Sequence, residues 1–165
     1  MSDLTWPAGP IRLLLLDVDG TLTDGGMYFS AEGLALKRFD VRDGLGLVKL
    51  QAAGVPVALV SADGSPITAA RGRQLGLSRV ELRCADKAAT VRQILADTGV
   101  PAAEACFVGD DLTDLPAFAE VGYTAAPADA VPEVRAAAQY VASRPGGHGA
   151  VREIADLIRA TQVPS

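Results

Sequence analysis

Cysteine, histidine and aromatic residues are scarce in this chain of 165 residues. It has two cysteines, one histidine and only 5% aromatic residues. Cys84 and Cys106 form no CxxC pair, so the pattern does not indicate a metal site or a disulfide, and we expect two free, buried thiols. The low aromatic content favours helices packed closely on a parallel sheet over an aromatic-rich sandwich.

The chain also lacks basic runs and long apolar runs. Its formal charge is −5 and its isoelectric point is near 4.8. Because binding of the phosphate backbone needs a basic face, we do not expect a nucleic acid partner. No apolar run approaches the ~20 residues that span a bilayer, and the N-terminus lacks the pattern of a signal peptide. We therefore expect a cytoplasmic protein with no membrane partner.

The remaining composition predicts one α/β domain over residues 1–165. Hydrophobic residues make up 49% of the chain, which is enough for a single core. Apolar strands alternate with helical patterns about every 20 to 25 residues, an order typical of a doubly wound parallel sheet of the Rossmann-like type. An antiparallel hairpin interrupts this order at about residues 25–41, because two short strands flank a turn that contains glycine.

The element boundaries follow from apolar patterns, capping residues and glycines. The predicted core strands are 11–17, 55–61, 79–82, 105–109, 123–125 and 139–141. The predicted helices are 44–53 with Asp43 as N-cap, 66–75, 87–98, 112–120, 131–138 and 150–161. The glycine-rich segment 144–149 is predicted to be a flexible link.

Two carboxylates follow the first strand in the stretch Asp17-Val18-Asp19-Gly20-Thr21. Taken alone, an Asp-x-Asp-Gly turn can be purely structural or can form a metal loop. A calcium loop of the EF-hand type needs a glutamate at its twelfth position, which is Tyr28 here, so we set that alternative aside. The pattern further along the chain favours a catalytic site.

Several polar groups follow other predicted strands, and parallel strands bring such groups to one crevice. The group comprises Asp17, Asp19, Ser61, Lys87, Asp110, Asp111 and Asp114. Neighbouring carboxylates repel by about 1 kcal/mol per close pair even in water-like surroundings, so a divalent cation is expected. Ligands that are all oxygen favour Mg²⁺ shared with a substrate phosphate.

Such a crevice suits phosphoryl transfer. The Ser61 hydroxyl, the Lys87 ammonium and the N–H groups of the Asp19-Gly20 turn could all meet a bound phosphate. A carboxylate can attack phosphorus, and a second acid two residues on can protonate the leaving oxygen and later activate water. Asp17 and Asp19 could fill these two roles.

These residues resemble the four motifs of the haloacid dehalogenase superfamily of phosphatases. The resemblance implies that Asp17 is the nucleophile, Asp19 the general acid/base, and Ser61 and Lys87 the phosphate-binding residues. It also implies Mg²⁺ ligands at Asp17, the Asp19 backbone carbonyl and Asp110. Asp111 and Asp114 would then be supporting acids.

A closer resemblance is to capless, tetrameric phosphatases similar to 3-deoxy-D-manno-octulosonate 8-phosphate phosphatase. It rests on three stretches, Asp24-Gly25, Phe39-Asp40-Val41-Arg42-Asp43-Gly44 and Gly146-Gly147-His148-Gly149-Ala150-Val151-Arg152-Glu153. The resemblance implies a phosphorylated sugar acid as substrate, an aspartyl-phosphate intermediate, no cap domain, and a homotetramer in which hairpins pack together. The predicted hairpin carries the apolar residues Met27, Tyr28, Phe29 and Phe39, which would form an exposed patch in a monomer. Substrate contacts are expected from Gly20, Ser61, Lys87, Arg42 and His148.

The sequence departs from that pattern at two positions. Ser61-Ala62-Asp63 stands where relatives carry Thr-Gly-Arg, and His148 stands where they carry arginine. Because Asp63 would repel a substrate carboxylate, we expect specificity to move away from the octulosonate ester. The basic residues that could replace the missing arginines are Arg42, Lys37, Arg71 and Arg73.

Other functions remain open on the sequence alone. The substrate could be a nine-carbon sugar acid 9-phosphate or another small phosphomonoester. A receiver-like signalling module gathers similar side chains, although its phosphorylated aspartate lies on the third strand rather than the first. A silent regulatory relative is the remaining alternative.

Overall fold

The computed structural model describes residues 6–162, where strands and helices alternate after an early hairpin. The strands are β1 (Leu13–Leu16), β2 (Thr23–Ser30), β3 (Gly33–Phe39), β4 (Val57–Val60), β5 (Arg79–Glu81), β6 (Ala105–Val108), β7 (Tyr123–Ala126) and β8 (Tyr140–Val141). The helices are α1 (Val41–Ala52), α2 (Pro66–Gln74), α3 (Lys87–Thr98), α4 (Leu115–Phe118), α5 (Pro132–Ala137) and α6 (Ala150–Ala160). Short 3-10 turns, Ala102–Glu104 and Leu112–Asp114, precede β6 and α4.

Six strands form one parallel sheet in the spatial order β5-β4-β1-β6-β7-β8. The four leucines of β1 are all buried: Leu14 and Leu16 face one core, while Leu13 and Leu15 face the other. Helices α1 and α6 pack on the first face, and α3, α4 and α5 contribute to the second. The predicted doubly wound α/β fold is therefore confirmed.

The sheet order places three functional strand ends side by side. Strand β1 lies between β4 and β6, so the segments that follow these strands share one edge of the sheet. Those segments carry Asp17, Ser61 and Asp110. A parallel sheet gives its carboxyl-end loops one common crevice, which is the arrangement expected from the sequence.

The hairpin formed by β2 and β3 is a separate two-stranded antiparallel sheet. Met27, Tyr28 and Phe29 are exposed, with Phe29 at 70% of its full surface. Phe39 was expected to share this patch, but it packs against the core with the Arg71 guanidinium 5.3 Å from its ring centre. That expectation was wrong because β3 runs into α1 and turns its last residue inward.

Helix α1 begins earlier than predicted, with Asp40 rather than Asp43 as its N-cap. The Asp40 carboxylate accepts a hydrogen bond from the Arg42 backbone N–H at 2.7 Å. Asp43 lies within the first turn and is fully buried, where it accepts hydrogen bonds from the backbone N–H groups of Gly149 and Arg152. Asp43 thus satisfies donors at the start of a distant helix, a tertiary contact that local sequence does not reveal.

The glycine-rich segment before α6 is packed, and the prediction of a flexible link was wrong. Gly146 and Gly147 are buried, and the Gly147 N–H donates to the Thr21 carbonyl oxygen at 3.2 Å. A Cβ atom on Gly146 would collide with the carbonyl of Gly20. The glycines therefore permit close approach of this segment to the turn after β1.

The two cysteines agree with the prediction. Cys84 and Cys106 are buried free thiols, as predicted. Among the described residues, no helix combines the length and apolar character needed to cross a membrane.

The helix predicted at 112–120 is instead a 3-10 turn followed by the short α4, because Asp111 and Asp114 cap that turn through a reciprocal pair of hydrogen bonds.

Candidate active site

Three carboxylates meet at the shared edge of the sheet. Asp17, Asp110 and Asp114 each offer an oxygen within 4.8 Å of the others. Asp17 follows β1, whereas Asp110 and Asp114 come from the segment between β6 and α4. The structure thus brings together acids that are about 90 residues apart in the chain, as the order of strands predicts.

The turn after β1 fits closely against this cluster. Thr21 Oγ1 lies 3.1 Å from Asp110 Oδ1 and 3.4 Å from Asp17 Oδ2. Gly20 has a φ of 90°, a backbone conformation that favours glycine. A Cβ atom at this position would also collide with the Asp110 carboxylate. The Gly20 N–H donates to Thr23 Oγ1 at 3.1 Å and is therefore engaged within the protein.

Lys87 supplies the positive charge of the cluster. Its ammonium lies 2.6 Å from Asp17 Oδ1 and 2.6 Å from Asp114 Oδ1, and its side chain is buried. Burial alone would lower the pKa of Lys87, but the charges of Asp17 and Asp114 raise the pKa above its ordinary value. Lys87 consequently remains a cation in the site.

Both carboxylate oxygens of Asp114 are engaged within the protein. Its Oδ2 accepts hydrogen bonds from the backbone N–H groups of Asp110 (2.9 Å) and Asp111 (3.2 Å), while its Oδ1 faces Lys87. These hydrogen bonds hold the backbone of Asp110 and Asp111 in position. Asp111 is more exposed and accepts a hydrogen bond from the Leu112 N–H, so it caps the turn.

The remaining charge in the cluster is suited to a divalent cation. Burial, followed by the negative charge of Asp114, raises the pKa of Asp17 well above its ordinary value, and burial likewise raises the pKa of Asp110. Both shifts mean that the positive charge of Lys87 does not fully compensate the two ionised carboxylates. A hard cation with oxygen ligands supplies that charge, so the residues fit Mg²⁺.

Asp19 points to a different partner, Lys37 of the hairpin. The Lys37 ammonium has no exposed surface and lies 2.7 Å from Asp19 Oδ1 and 2.7 Å from Asp63 Oδ2. Burial would lower the pKa of Lys37, but hydrogen bonds to these two carboxylates raise it. Lys37 is therefore fully engaged and does not replace a missing substrate-binding arginine.

The Lys37 contact also changes the expectation for Asp63. Burial would raise the pKa of Asp63, but the hydrogen bond from Lys37 lowers it overall, so Asp63 is ionised and paired. Its charge is offset within the protein and does not stand free toward a substrate. The repulsion of a substrate carboxylate that we expected from the sequence is therefore weakened at its source.

Ser61 lies at the end of β4, almost completely buried, and its Oγ accepts a hydrogen bond from the Asp63 N–H at 3.2 Å. Beside this loop is a cavity of about 740 Å³. Lys87, Ala62 and Thr113 contribute to its lining. The cavity therefore opens next to the carboxylate cluster and has room for an organic group attached to a phosphate.

Two predicted substrate contacts lie elsewhere in the chain. Arg42 pairs with Asp40 at 2.8 Å and lines another cavity of about 310 Å³, on the side of α6. Strong hydrogen bonding from Arg42 lowers the pKa of Asp40 to about 2. The His148 side chain is exposed, and its backbone carbonyl faces Arg42. Neither residue lines the cavity beside Lys87.

Sequence reasoning missed two contributors to the site. The sequence shows Thr21 only as part of a motif, although its hydroxyl lies between two of the acids. Lys37 was considered as a substrate-binding cation rather than as the partner of Asp19. A lysine on a short hairpin strand carries no local signal of burial, so only the folded hairpin shows that its ammonium is enclosed.

A parallel α/β sheet with these acids, a serine and a lysine at its carboxyl edge defines a hydrolase of phosphate esters. A family model described as haloacid dehalogenase-like hydrolase matches residues 38–122, slightly more than half of the chain. The chain belongs to this family and is a phosphoric monoester hydrolase.

Particular relatives extend the similarity to almost the whole chain. The 3-deoxy-D-manno-octulosonate 8-phosphate phosphatase of Haemophilus influenzae is 41% identical over 152 residues, which cover 92% of this chain and 84% of that protein. The cobalt-bound structure of the Haemophilus influenzae phosphatase has a TM-score of 0.90 and 41% identity, with 92% of this chain and 89% of that one covered.

A third comparison concerns the cofactor. The Moraxella catarrhalis phosphatase, solved with magnesium, phosphate and 3-deoxy-D-manno-octulosonate (KDO), has a TM-score of 0.89 and 34% identity, with 92% of this chain and 87% of that one covered. Together with the family and the acidic cluster, this similarity confirms the prediction of Mg²⁺ as cofactor.

Proposed function

We propose that this enzyme hydrolyses 3-deoxy-D-manno-octulosonate 8-phosphate to the free sugar acid and inorganic phosphate. The observation that carries the proposal is 41% identity to a phosphatase of that specificity over 92% of this chain. The paired state of Asp63 supports it, because Lys37 partly offsets the charge of the acid that would oppose a carboxylated substrate.

The proposed first step is attack by Asp17 on phosphorus. An Asp17 carboxylate oxygen forms a bond to phosphorus as the bond from phosphorus to the sugar oxygen breaks, and Asp19 donates a proton to that oxygen. Lys87, 2.6 Å from Asp17, favours the ionised nucleophile. In the second step Asp19 takes a proton from water, the water oxygen attacks phosphorus, and the bond from phosphorus to the Asp17 oxygen breaks, which releases inorganic phosphate and restores the Asp17 carboxylate.

We assign the Mg²⁺ ligands to the carboxylates of Asp17 and Asp110 and to the backbone carbonyl of Asp19. When bound, the cation offsets charge on the phosphoryl oxygens and on the acids. Asp114 is left out of this set because Lys87 and two backbone N–H groups already occupy its oxygens.

We assign phosphate binding to Lys87, the Ser61 hydroxyl and the turn of Asp19 and Gly20. The Asp19 N–H has no partner among residues 6–162, so it is free to donate, whereas the Gly20 N–H is engaged by Thr23. These donors would meet the phosphate while the sugar extends into the adjoining cavity.

We further propose that the working enzyme is a homotetramer. The exposed apolar side chains of the hairpin, Met27, Tyr28, Phe29 and Leu36, form a patch that association would bury. A second subunit would also exclude water from the open crevice, with His148 and Arg42 contacting a neighbouring subunit's substrate. The cytoplasmic location and the single domain over 1–165 stay predictions.

The test is a panel of phosphate esters assayed with purified enzyme and Mg²⁺. We expect kcat/KM for octulosonate 8-phosphate to exceed that for a nine-carbon sugar acid 9-phosphate and for neutral sugar phosphates by at least about tenfold. Asp17→Asn serves as the inactive control. Preference for another ester would overturn the substrate assignment, and absence of any metal-dependent phosphate release would indicate a silent relative.

A further inference from the structure

Arg83, in the loop between β5 and α3, has an unusual backbone conformation. Among the described residues, Arg83 is the only non-glycine residue with a positive φ, which is 57°. This left-handed conformation is sterically unfavourable for a residue that carries a Cβ atom. Two hydrogen bonds hold the loop against the Ser61 loop: the Arg83 N–H donates to the Asp63 carbonyl, and the Cys84 N–H donates to the Ser61 carbonyl. Strain of this kind is often kept for function.

The side chain of Arg83 lies across Gly64. A Cβ atom on Gly64 would collide with Arg83 Nε and would stand 2.8 Å from its Cγ, so the glycine leaves space for the arginine. Arg83 is exposed, and within residues 6–162 its guanidinium has no hydrogen-bond or ion-pair partner. Arg92 differs, because it pairs with Glu120 at 2.6 Å. Arg83 is thus a positioned guanidinium with free donors.

The free guanidinium faces the space beside the reacting centre. Arg83 and Lys87 both line the cavity of about 740 Å³ that adjoins the carboxylate cluster. A substrate whose phosphate is held at Lys87 would extend its organic part into this cavity. A guanidinium binds a carboxylate through two parallel hydrogen bonds, which makes Arg83 suited to an acid group on that organic part.

The other basic residues considered from the sequence are less available. Lys37 is enclosed by Asp19 and Asp63, and Arg42 pairs with Asp40. Arg71 lies over Phe39 and donates to the Asp40 carbonyl. Arg73 does not line the cavity beside Lys87.

We propose that Arg83 binds the carboxylate of the substrate and so determines the preference of this enzyme for phosphorylated sugar acids over neutral sugar phosphates. The inference rests on the proposed function for the identity of the acid, but not for the role of the arginine. Arg83 would supply the charge that Asp63 cannot supply from the neighbouring loop.

The test compares Arg83→Gly with wild type on octulosonate 8-phosphate and on a neutral sugar phosphate, ribose 5-phosphate. Glycine accepts the positive φ, so the variant should fold with an equal or higher Tm. We expect KM for the acid to rise about tenfold or more with a smaller change in kcat, while kcat/KM for the neutral ester changes less than about twofold. Arg83→Lys should keep part of the preference.

Two further variants separate position from charge. Gly64→Ala keeps Arg83 but displaces its side chain, so it should lose the same preference. Arg92→Gln removes a positive charge from the same cavity and should leave the preference for the acid unchanged. Equal losses on both esters in Arg83→Gly, no loss on either, or the same effect in Arg92→Gln would overturn the inference.

Failure of the proposed function gives a different result. If wild-type enzyme prefers another phosphorylated acid, the octulosonate assignment fails, and Arg83 is judged on that acid against ribose 5-phosphate. If wild-type enzyme shows no preference for any carboxylated ester, the inference about Arg83 is overturned. If wild-type enzyme prefers octulosonate 8-phosphate and Arg83→Gly retains that preference, only the inference fails.

Discussion

The ammonium of Lys37 lies 2.7 Å from the carboxylate of Asp19, so a residue of the hairpin directly contacts the proposed general acid/base. The Lys37 side chain is completely buried, and Asp63 binds it from the other side. The hairpin therefore does more than project from the fold, because one of its side chains fixes the orientation of an acid at the reacting centre.

We expect Lys37→Met to lower kcat by about 100-fold or more, since Asp19 would lose the contact that orients it. Removing the ammonium also leaves Asp19 and Asp63 without compensation, so the Tm should fall. Steady-state kinetics and thermal unfolding measure both effects. Lys49→Met, at an exposed position of α1, is the matched control. Unchanged kcat in a folded Lys37→Met protein would contradict the orienting role.

Asp17→Asn should abolish turnover while the fold holds or gains stability. The amide cannot form the acyl phosphate, and it removes a carboxylate whose pKa is raised by burial and by the charge of Asp114. Phosphate release and thermal unfolding test the two halves. Glu133→Gln, an exposed acid on α5, should behave like wild type. Substantial residual activity in a clean Asp17→Asn preparation would rule out covalent catalysis by this residue.

Chelation by EDTA should stop turnover, and Mg²⁺ should restore it. Because Asp17 is buried and Asp110 is partly buried, and their charges are incompletely compensated, Mg²⁺ should also raise the Tm of the metal-free protein. Asp110→Asn should reduce this thermal shift. Differential scanning calorimetry across a Mg²⁺ titration gives a measurement that does not depend on activity. An equal shift in Asp110→Asn and wild type would exclude Asp110 as a ligand.

Asp40 should make the stability of the protein sensitive to acid. Its folded pKa of about 2 lies below the unfolded value of roughly 3.9, so its ionised form stabilises the fold above that unfolded value. This contribution is lost as pH falls through the folded pKa. Urea unfolding at a series of acid pH values should show a smaller decline for Asp40→Asn than for wild type. Parallel declines would show that Asp40 is not linked to folding.

Light scattering should report roughly four times the chain mass of 17.0 kDa. Phe29→Glu places a charge in the exposed hairpin patch and should dissociate the assembly, whereas Phe29→Leu should preserve it. His148→Ala should reduce kcat/KM for the sugar-acid ester more than for an aryl phosphate, if the neighbouring subunit contributes to binding. A fully active monomer at nanomolar concentration would contradict this arrangement.

The sequence by itself determined the parallel α/β fold and the main acids of the site. Four leucines followed by Asp17 predict a strand buried on both faces with chemistry at its end, and this signal is local. Ser61 and Asp110 follow similar apolar strands, so the adjacency of their strand ends follows from the rules of doubly wound sheets.

The tertiary structure alone decided which charges are free. Lys37 and Asp63 are 26 residues apart, and only the folded hairpin shows that they form an ion pair. Local sequence likewise predicts Asp43 as the N-cap of α1. In the structure Asp43 instead accepts hydrogen bonds from backbone N–H groups at the start of α6, more than 100 residues away. Only the fold likewise shows that Arg83 has no charged partner among residues 6–162. Pairing between charged side chains depends on distances across the fold, and no local pattern encodes those distances.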